Sequence, residues 1–440
     1  MSVAEGLPLA TMVGNLLRSP RRRSMAVAAF GTVVEWYDFS LFFYVSTYLA
    51  VAFYAPYEGS FLLSLATGAV GFLFRPLGAM VFGHIGDRLG RRQALVISAG
   101  LMAISMFGIA LMPTHEVMGG WAAAGVVLLR CLAGFSVGAE YTGIMVYLME
   151  SARDDRRGFA ASWAAANSEV GGLLAVGLSA GLAAVLSPEN MQGWGWRLLF
   201  IIGGLLAAAM IPLRRLMVET DSFNEQQEKK QPASPLIEVL RTHPRAVLVA
   251  FLISTVGSAT YFLNITYVPS YLDEATDFDT SESLFLGALA AVVVIAVTPF
   301  VGLAADRYGR RICFVLIGLL AVGGAIPAYL LFQGASTQLA LIGIAVLAIP
   351  AAGWSAVAAS AVPEQFSASG RFSGMAIGYN LAVALFGGFS PMIVTWLMDS
   401  TGNPLAPAYY AAILCALAGI PAIMLMRERA RVPLGVIDGN

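Results

Sequence analysis

Apolar residues fall in twelve blocks, each of the roughly 20 residues or more that a helix needs to cross a hydrocarbon core of about 30 Å. The blocks cover 25–53, 61–83, 94–112, 120–149, 159–186, 196–217, 246–272, 283–305, 312–332, 338–362, 373–398 and 408–426. Each predicts a membrane-spanning helix, so the expected fold is all-α and polytopic. The breaks are short except for one, the polar stretch 219–245, which holds Asp221, Glu225, Glu228, Lys229, Lys230, Pro232 and Pro235. It reads as a linker that leaves a six-helix half over 1–218 and a second over 246–440.

A repeat supports the division. Gly83-His84-Ile85-Gly86-Asp87-Arg88-Leu89-Gly90-Arg91-Arg92 recurs as Gly302-Leu303-Ala304-Ala305-Asp306-Arg307-Tyr308-Gly309-Arg310-Arg311. Both cassettes read as short basic loops, between spans two and three and between spans eight and nine. Self-similarity at this period marks two copies of one architectural unit. A second repeat follows, because Glu150 and Arg157 after span four recur as Glu364 and Arg371 after span ten.

Composition fixes the solvent. The chain is 58% hydrophobic and 12% charged, far from the quarter-charged composition usual in soluble domains. Basic residues gather in alternate breaks. With the N-terminus inside, 23 of the 26 Lys and Arg residues lie on the cytoplasmic side, as the positive-inside rule requires. Both termini are therefore expected in the cytoplasm. The arginines at 18, 21, 22 and 23 precede a stretch too long for a cleaved signal peptide. No global basic patch for nucleic acid exists. Cys131, Cys313 and Cys415 are isolated within apolar runs, and His84, His115 and His243 lie in breaks or at helix ends. Metal, cofactor and disulfide chemistry are thus not expected, and proton chemistry must use carboxylates.

The cassette Gly-x-x-x-Asp-Arg-x-Gly-Arg-Arg, found twice on a twelve-span background, resembles the signature of the major facilitator superfamily. Glu35-Trp36-Tyr37-Asp38-Phe39, Arg75-Pro76-Leu77-Gly78, Gly134-Phe135-Ser136-Val137-Gly138-Ala139-Glu140 and Trp194-Gly195-Trp196-Arg197 are similar to the metabolite:proton symporter branch. Within it, Glu140-Tyr141-Thr142-Gly143, Tyr267-Val268-Pro269-Ser270-Tyr271 and Pro407-Ala408-Tyr409-Tyr410 look most like the proline/betaine transporter group. The resemblance implies alternating access by two halves, and a cytoplasmic latch made by Gly83, Asp87, Arg88, Gly90, Arg91 and Arg92 with Asp306, Arg307, Arg310, Arg311 and Arg371. Asp87 with Arg371 is the pair it favours.

Ionisable side chains at membrane depth are costly and mark function by default. Glu35, Asp38, Arg75, Arg130, Glu140 and Glu169 qualify, all in the first half. Glu35 and Asp38 share a helical face, and with Glu140 they are the expected proton carriers. Alternatively, Glu35 or Asp38 pairs permanently with Arg75 or Arg130 and locks spans together. Tyr37, Arg75, Arg130, Tyr141, Glu169, Asn264, Tyr267, Trp354, Tyr379 and Asn380 are the expected substrate contacts. Gly134 with Gly138, and Gly177 with Gly181, offer surfaces for close helix packing. Excess acid beside aromatic rings suits a zwitterion or quaternary ammonium better than a di- or tricarboxylate. The expected function is proton symport of a small carboxylate-bearing metabolite of the betaine or proline type in the inner membrane, by a monomer. Symport of citrate, a dicarboxylate or shikimate is the alternative, followed by a non-transporting receptor. A membrane enzyme lacks support, since no metal-ligand cluster and no polar domain large enough for a nucleotide occurs.

Overall fold

The computed structural model describes residues 20–89, 91–138, 140–215, 235–334 and 336–438. Twelve helices are long and apolar enough to span a membrane. They are α1 (Ala26–Tyr44), α2 (Ser60–Phe82), α3 (Arg92–Leu111), α4 (Gly120–Ser151), α5 (Arg157–Val185), α6 (Pro188–Arg215), α7 (Pro244–Thr266), α8 (Thr280–Tyr308), α9 (Arg310–Phe332), α10 (Thr337–Gln365), α11 (Gly370–Thr401) and α12 (Ala406–Leu425). Their mean hydropathy of 1.2 to 2.6 comes from near-continuous apolar sequence, and large side chains such as Leu111, Trp121, Phe300 and Met424 point outward. Lipid is the partner such surfaces require. Most of the expected linker, up to Ser234, lies outside the described residues; beyond it, Pro235–Thr242 is a short helix leading into α7.

Within the first six, α5 packs on α1, α6 on α1 and α3, and α4 on α2 and α3. Within the second six, α10 packs on α8 and α9, and α12 on α7 and α9. The two sets meet through α5 against α8 and α10, and through α2 and α4 against α11. Small residues permit the close approaches. A Cβ on Gly134 would lie 1.7 Å from the Gly71 carbonyl oxygen, and one on Gly138 would lie 2.2 Å from that of Arg75. This contact presses α2 against α4 and brings Arg75 and Arg130 to the interior. Gly177 and Gly181 behave otherwise: nothing lies within 4 Å of their Cβ positions, so they do not form the packing face expected of them.

The cassettes differ from the expected loops. The helix Arg75–Leu89 runs through the first one, and the next helix starts at Arg91. In the second, α8 continues to Tyr308, Gly309 turns the chain with φ +97°, and α9 begins at Arg310. A side chain at Gly309 would be strained in that conformation. One residue therefore does the work of a loop, and the flanking charges are held on rigid helix ends.

The side chains of Asp87, Arg88 and Arg91, the surroundings of Gly83, and Gly90 altogether lie outside the described residues, as do the side chains of Arg21, Arg22 and Arg23. Arg92 is exposed. At the opposite face, Arg197 donates to the carbonyls of Ala110 and Met112, at 2.6 and 2.8 Å, satisfying the end of α3. Asp273, on the same face, has its carboxyl pushed above the usual range by burial, an effect opposed by the hydrogen bond from the Thr280 hydroxyl at 2.7 Å.

Candidate functional site

Between the two sets of six lies a cavity with about 50 Å³ of space for water centres, room for several waters or one small solute. α1, α4 and α5 line it from one side with Trp36, Tyr141, Ser168 and Glu169; α7, α10 and α11 line it from the other with Ser254, Ser258, Tyr261, Phe262, Ser355 and Tyr379. Trp36 meets two of its rings edge to face, and Tyr141 and Tyr379 are tilted against each other. Trp36 lies 5.2 Å from Tyr261 and 5.5 Å from Tyr141, and Tyr141 lies 5.3 Å from Tyr379. Farther along α1, Phe43 meets Phe72 and Phe262, which are themselves 5.3 Å apart, and the three rings cover that end. Glu169 is twelve residues into α5, about 18 Å along its axis, which is near the middle of a bilayer.

The deep charges are mostly paired. Arg75 donates to Glu35 at 2.7 Å and to the Asn380 amide oxygen at 3.4 Å. Arg130 donates to Asp38 at 3.0 Å and stacks over Phe39 and Phe42. Arg214, at the end of α6, holds Glu140 and the Leu95 carbonyl. Glu35 and Asp38 therefore do not approach the cavity as a couple, and neither lines it. Each has its own arginine, which is the pairing alternative raised above. One acid has none. Glu169 is fully buried, and neither of its oxygens has a hydrogen-bond partner. The buried set of Glu35, Asp38, Glu140 and Glu169 against Arg75, Arg130 and Arg214 carries a net charge of -1.

The other expected contacts separate. Tyr141 and Tyr379 line the cavity, while Asn380 bridges the sets by donating to Gly138 and accepting from Arg75. Tyr37 is packed away, its hydroxyl donating to the Leu199 carbonyl at 2.8 Å. Trp354 is turned into the second set, donating to the Ile253 carbonyl and packing on Phe314. Tyr267 meets the Thr395 hydroxyl, and Asn264 is buried beyond the cavity lining. Trp36 is one of the aromatic rings expected beside the excess acid, whereas Tyr261 and Phe262 were absent from the expected contacts. Their sequence signal is weak, since an aromatic residue in an apolar run more often packs in a bundle than faces a ligand.

At the face holding the cassettes, the repeated acid–arginine motifs pair crosswise. Arg157 of the first set donates to Glu364 of the second at 3.0 Å, and Arg371 of the second donates to Glu150 of the first. Arg371 also donates to the carbonyls of Pro363 and Phe366, at 3.2 and 3.4 Å, while the side chain of Asp87, the partner favoured for it, lies outside the described residues. Arg310 adds to the first crosswise pair, holding Glu364 at 3.1 Å and Asp306 at 2.9 Å. Asp306 in turn accepts from the backbone N–H groups of Gly158 and Phe159, at 2.7 and 2.8 Å. It caps the N-terminus of α5 across the interface, where a carboxylate meets free donors and the positive end of the helix dipole.

The segment after α12 joins the same knot. Arg157 donates to the carbonyls of Arg429 and Val432, Arg431 to those of Asp306 and Arg307, and Leu434 N–H to Asp154. Glu428 accepts from the first N–H groups of α9, at Arg310 and Arg311. The Arg311 side chain donates to the Met426 carbonyl, and Arg307 lies over the Tyr308 ring.

This geometry of two sets of six helices, a central cavity and a latched face agrees with known proteins. A Major Facilitator Superfamily profile matches residues 28–376 and, in a second alignment, 261–438. The glycine betaine/proline/ectoine/pipecolic acid transporter OusA of Dickeya dadantii is 32% identical over 94% of this chain and 84% of its own length. The proline/betaine transporter of Escherichia coli K12 is likewise 32% identical, over 94% of this chain and 85% of its own. Among solved structures, the proton:xylose symporter XylE bound to 6-bromo-6-deoxy-D-glucose superposes with a TM-score of 0.76, covering 95% of this chain and 98% of that one at 18% identity, a likeness of fold. The all-α, twelve-span chain described here belongs to the major facilitator superfamily.

Proposed function

We propose that this protein carries a small zwitterionic osmolyte, of the betaine or proline type, together with protons across the inner membrane. Residues 1–218 and 246–440 rock about the central cavity, tethered by 219–245, with both termini in the cytoplasm and each monomer complete in itself. The concentration of Lys and Arg at the latched face supports that orientation, and relatives at 32% identity carry betaine, proline and ectoine in their names.

The observation that carries the reading is the Glu35–Arg75–Asn380 bridge, which joins the sets directly behind the cavity residues Tyr141 and Tyr379. A substrate carboxylate offers Arg75 a bidentate acceptor where Glu35 accepts through one oxygen. Once it takes the guanidinium, Glu35 is left as an unpaired acid in a dry site, and such a group is stable only when neutral. Arrival of the carboxylate therefore favours arrival of a proton, and by linkage the proton favours the substrate. The coupling has the sign of symport. The Asp38–Arg130 pair lies deeper and repeats the same chemistry.

Uptake of labelled glycine betaine and proline into vesicles containing the purified chain tests the reading. An inward proton gradient should accelerate uptake, and Glu35→Gln should abolish that acceleration while preserving exchange of preloaded substrate. Uptake indifferent to the gradient would sink symport, whereas citrate or shikimate as the better substrate would replace the osmolyte.

A further inference from the structure

The proposed function leaves one buried charge without a task. Glu35, Asp38 and Glu140 each have an arginine, but Glu169 has no partner for either oxygen among the described residues, although it is fully buried and lines the cavity. Its surroundings are not those of a structural carboxylate. Trp36, Tyr141, Tyr261, Phe262 and Tyr379 form the wall around it. The hydroxyl of Tyr261 and the indole N–H of Trp36 are also buried without partners. A Cβ at Gly172 would meet the Tyr261 hydroxyl at 3.1 Å and a Glu169 oxygen at 3.3 Å, so a side chain there would intrude on both groups. The absence of one leaves the carboxylate open to the cavity.

A lone carboxylate in such a place has two stable conditions, neutral or opposite a cation. Aromatic rings add a preference for a diffuse cation, because their faces are negative and cannot accept the strong directed hydrogen bonds a small ammonium needs. We propose that Glu169 and the surrounding rings form the subsite for the positive nitrogen of the substrate, and that this subsite favours ligands with a permanently cationic head, the quaternary ammonium class, over proline. This deepens the osmolyte reading and rests on it. The two ends of the ligand are then read by different elements. Its nitrogen faces α5 and α7, and its carboxylate faces Arg75 on α2. A di- or tricarboxylate brings negative charge to Glu169 and is rejected.

Glycine betaine and 3,3-dimethylbutanoate have the same shape and differ in one atom, the quaternary nitrogen replaced by carbon. Calorimetric titration of the full detergent-purified chain with each probe isolates the charge. The wild type should prefer glycine betaine by about 30-fold or more, the effect usual for a buried charge pair. Glu169→Gln should cut that preference at least about tenfold, mainly by weakening betaine, while Glu169→Asp should retain a clear preference. An unchanged preference in Glu169→Gln, or equal weakening of both probes, would overturn the assignment and make Glu169 a packing residue. So would a wild type that binds both probes alike. If neither probe binds the wild type, the osmolyte reading falls and takes this one with it. If betaine binds with the expected charge preference but no proton gradient drives its uptake, symport fails and the Glu169 subsite stands.

Discussion

The two crosswise latches are copies of one motif, yet they are built to different strengths. Glu364 and Arg157 are both wholly buried, and Glu364 is shared with Arg310, which also grips Asp306. Glu150, the symmetry mate of Glu364, is 44% exposed, and its partner Arg371 is buried and also donates to the carbonyls of Pro363 and Phe366. Duplication supplied the same acid and the same arginine to each half. Neighbours decide what each pair is worth, since desolvated ions are strongly coupled and exposed ones are screened. The Glu364 latch is therefore expected to be the stronger of the two in the proposed cycle.

That contrast can be broken in order of size. Glu364→Gln removes the buried acid shared by Arg157 and Arg310, leaving them Asp154 and Asp306, and removing one partner of a buried pair costs about 3–5 kcal/mol. The variant should open the latched face, seen as faster alkylation of a cysteine placed at Ser258 from that side; an unchanged rate would show that the buried latch is not holding it closed. Asp306→Asn keeps one acceptor for the α5 N-terminus but loses the charge, a change of about 1–2 kcal/mol. It should give an intermediate alkylation rate with substrate affinity preserved, and a variant impaired only in affinity would remove Asp306 from the latch. Glu150→Gln should cost less, because Glu150 is partly solvated and the carbonyls of Pro363 and Phe366 still hold Arg371. Equal effects of Glu150→Gln and Glu364→Gln would erase the distinction. The smallest effect is salt: raising ionic strength from about 0.1 M to 1 M shortens screening from about 10 Å to 3 Å. It should slow or speed the wild type slightly, and leave Glu150→Gln unaffected.

The twelve helices were legible because a span is a long-range average that no single residue can spoil, and observed and expected boundaries agree within a few residues for most of them. Gly309 was harder. A glycine flanked by arginines reads as loop, and only the positive φ shows that it is a single-residue turn between two rigid helices. The acid–arginine repeat was visible in the sequence. Its crosswise pairing was not, because exchange of partners follows from the approximate twofold relation of the halves, which spacing along one strand of text does not contain. Glu35, Asp38 and Glu169 looked equivalent as intramembrane acids. They differ in whether α2 or α4 brings an arginine to them, and the Gly71–Gly134 contact that sets those positions is a matter of tenths of an ångström.

Arg157 also reaches the carbonyls of Arg429 and Val432. In the proposed cycle those bonds make the segment beyond α12 a passenger, lifted each time this face parts. A reporter protein or affinity tag fused after Asn440 hangs from this passenger, and its bulk becomes a brake on turnover. Assays that compare variants by speed should therefore carry their tag elsewhere, or the brake will be mistaken for the mutation.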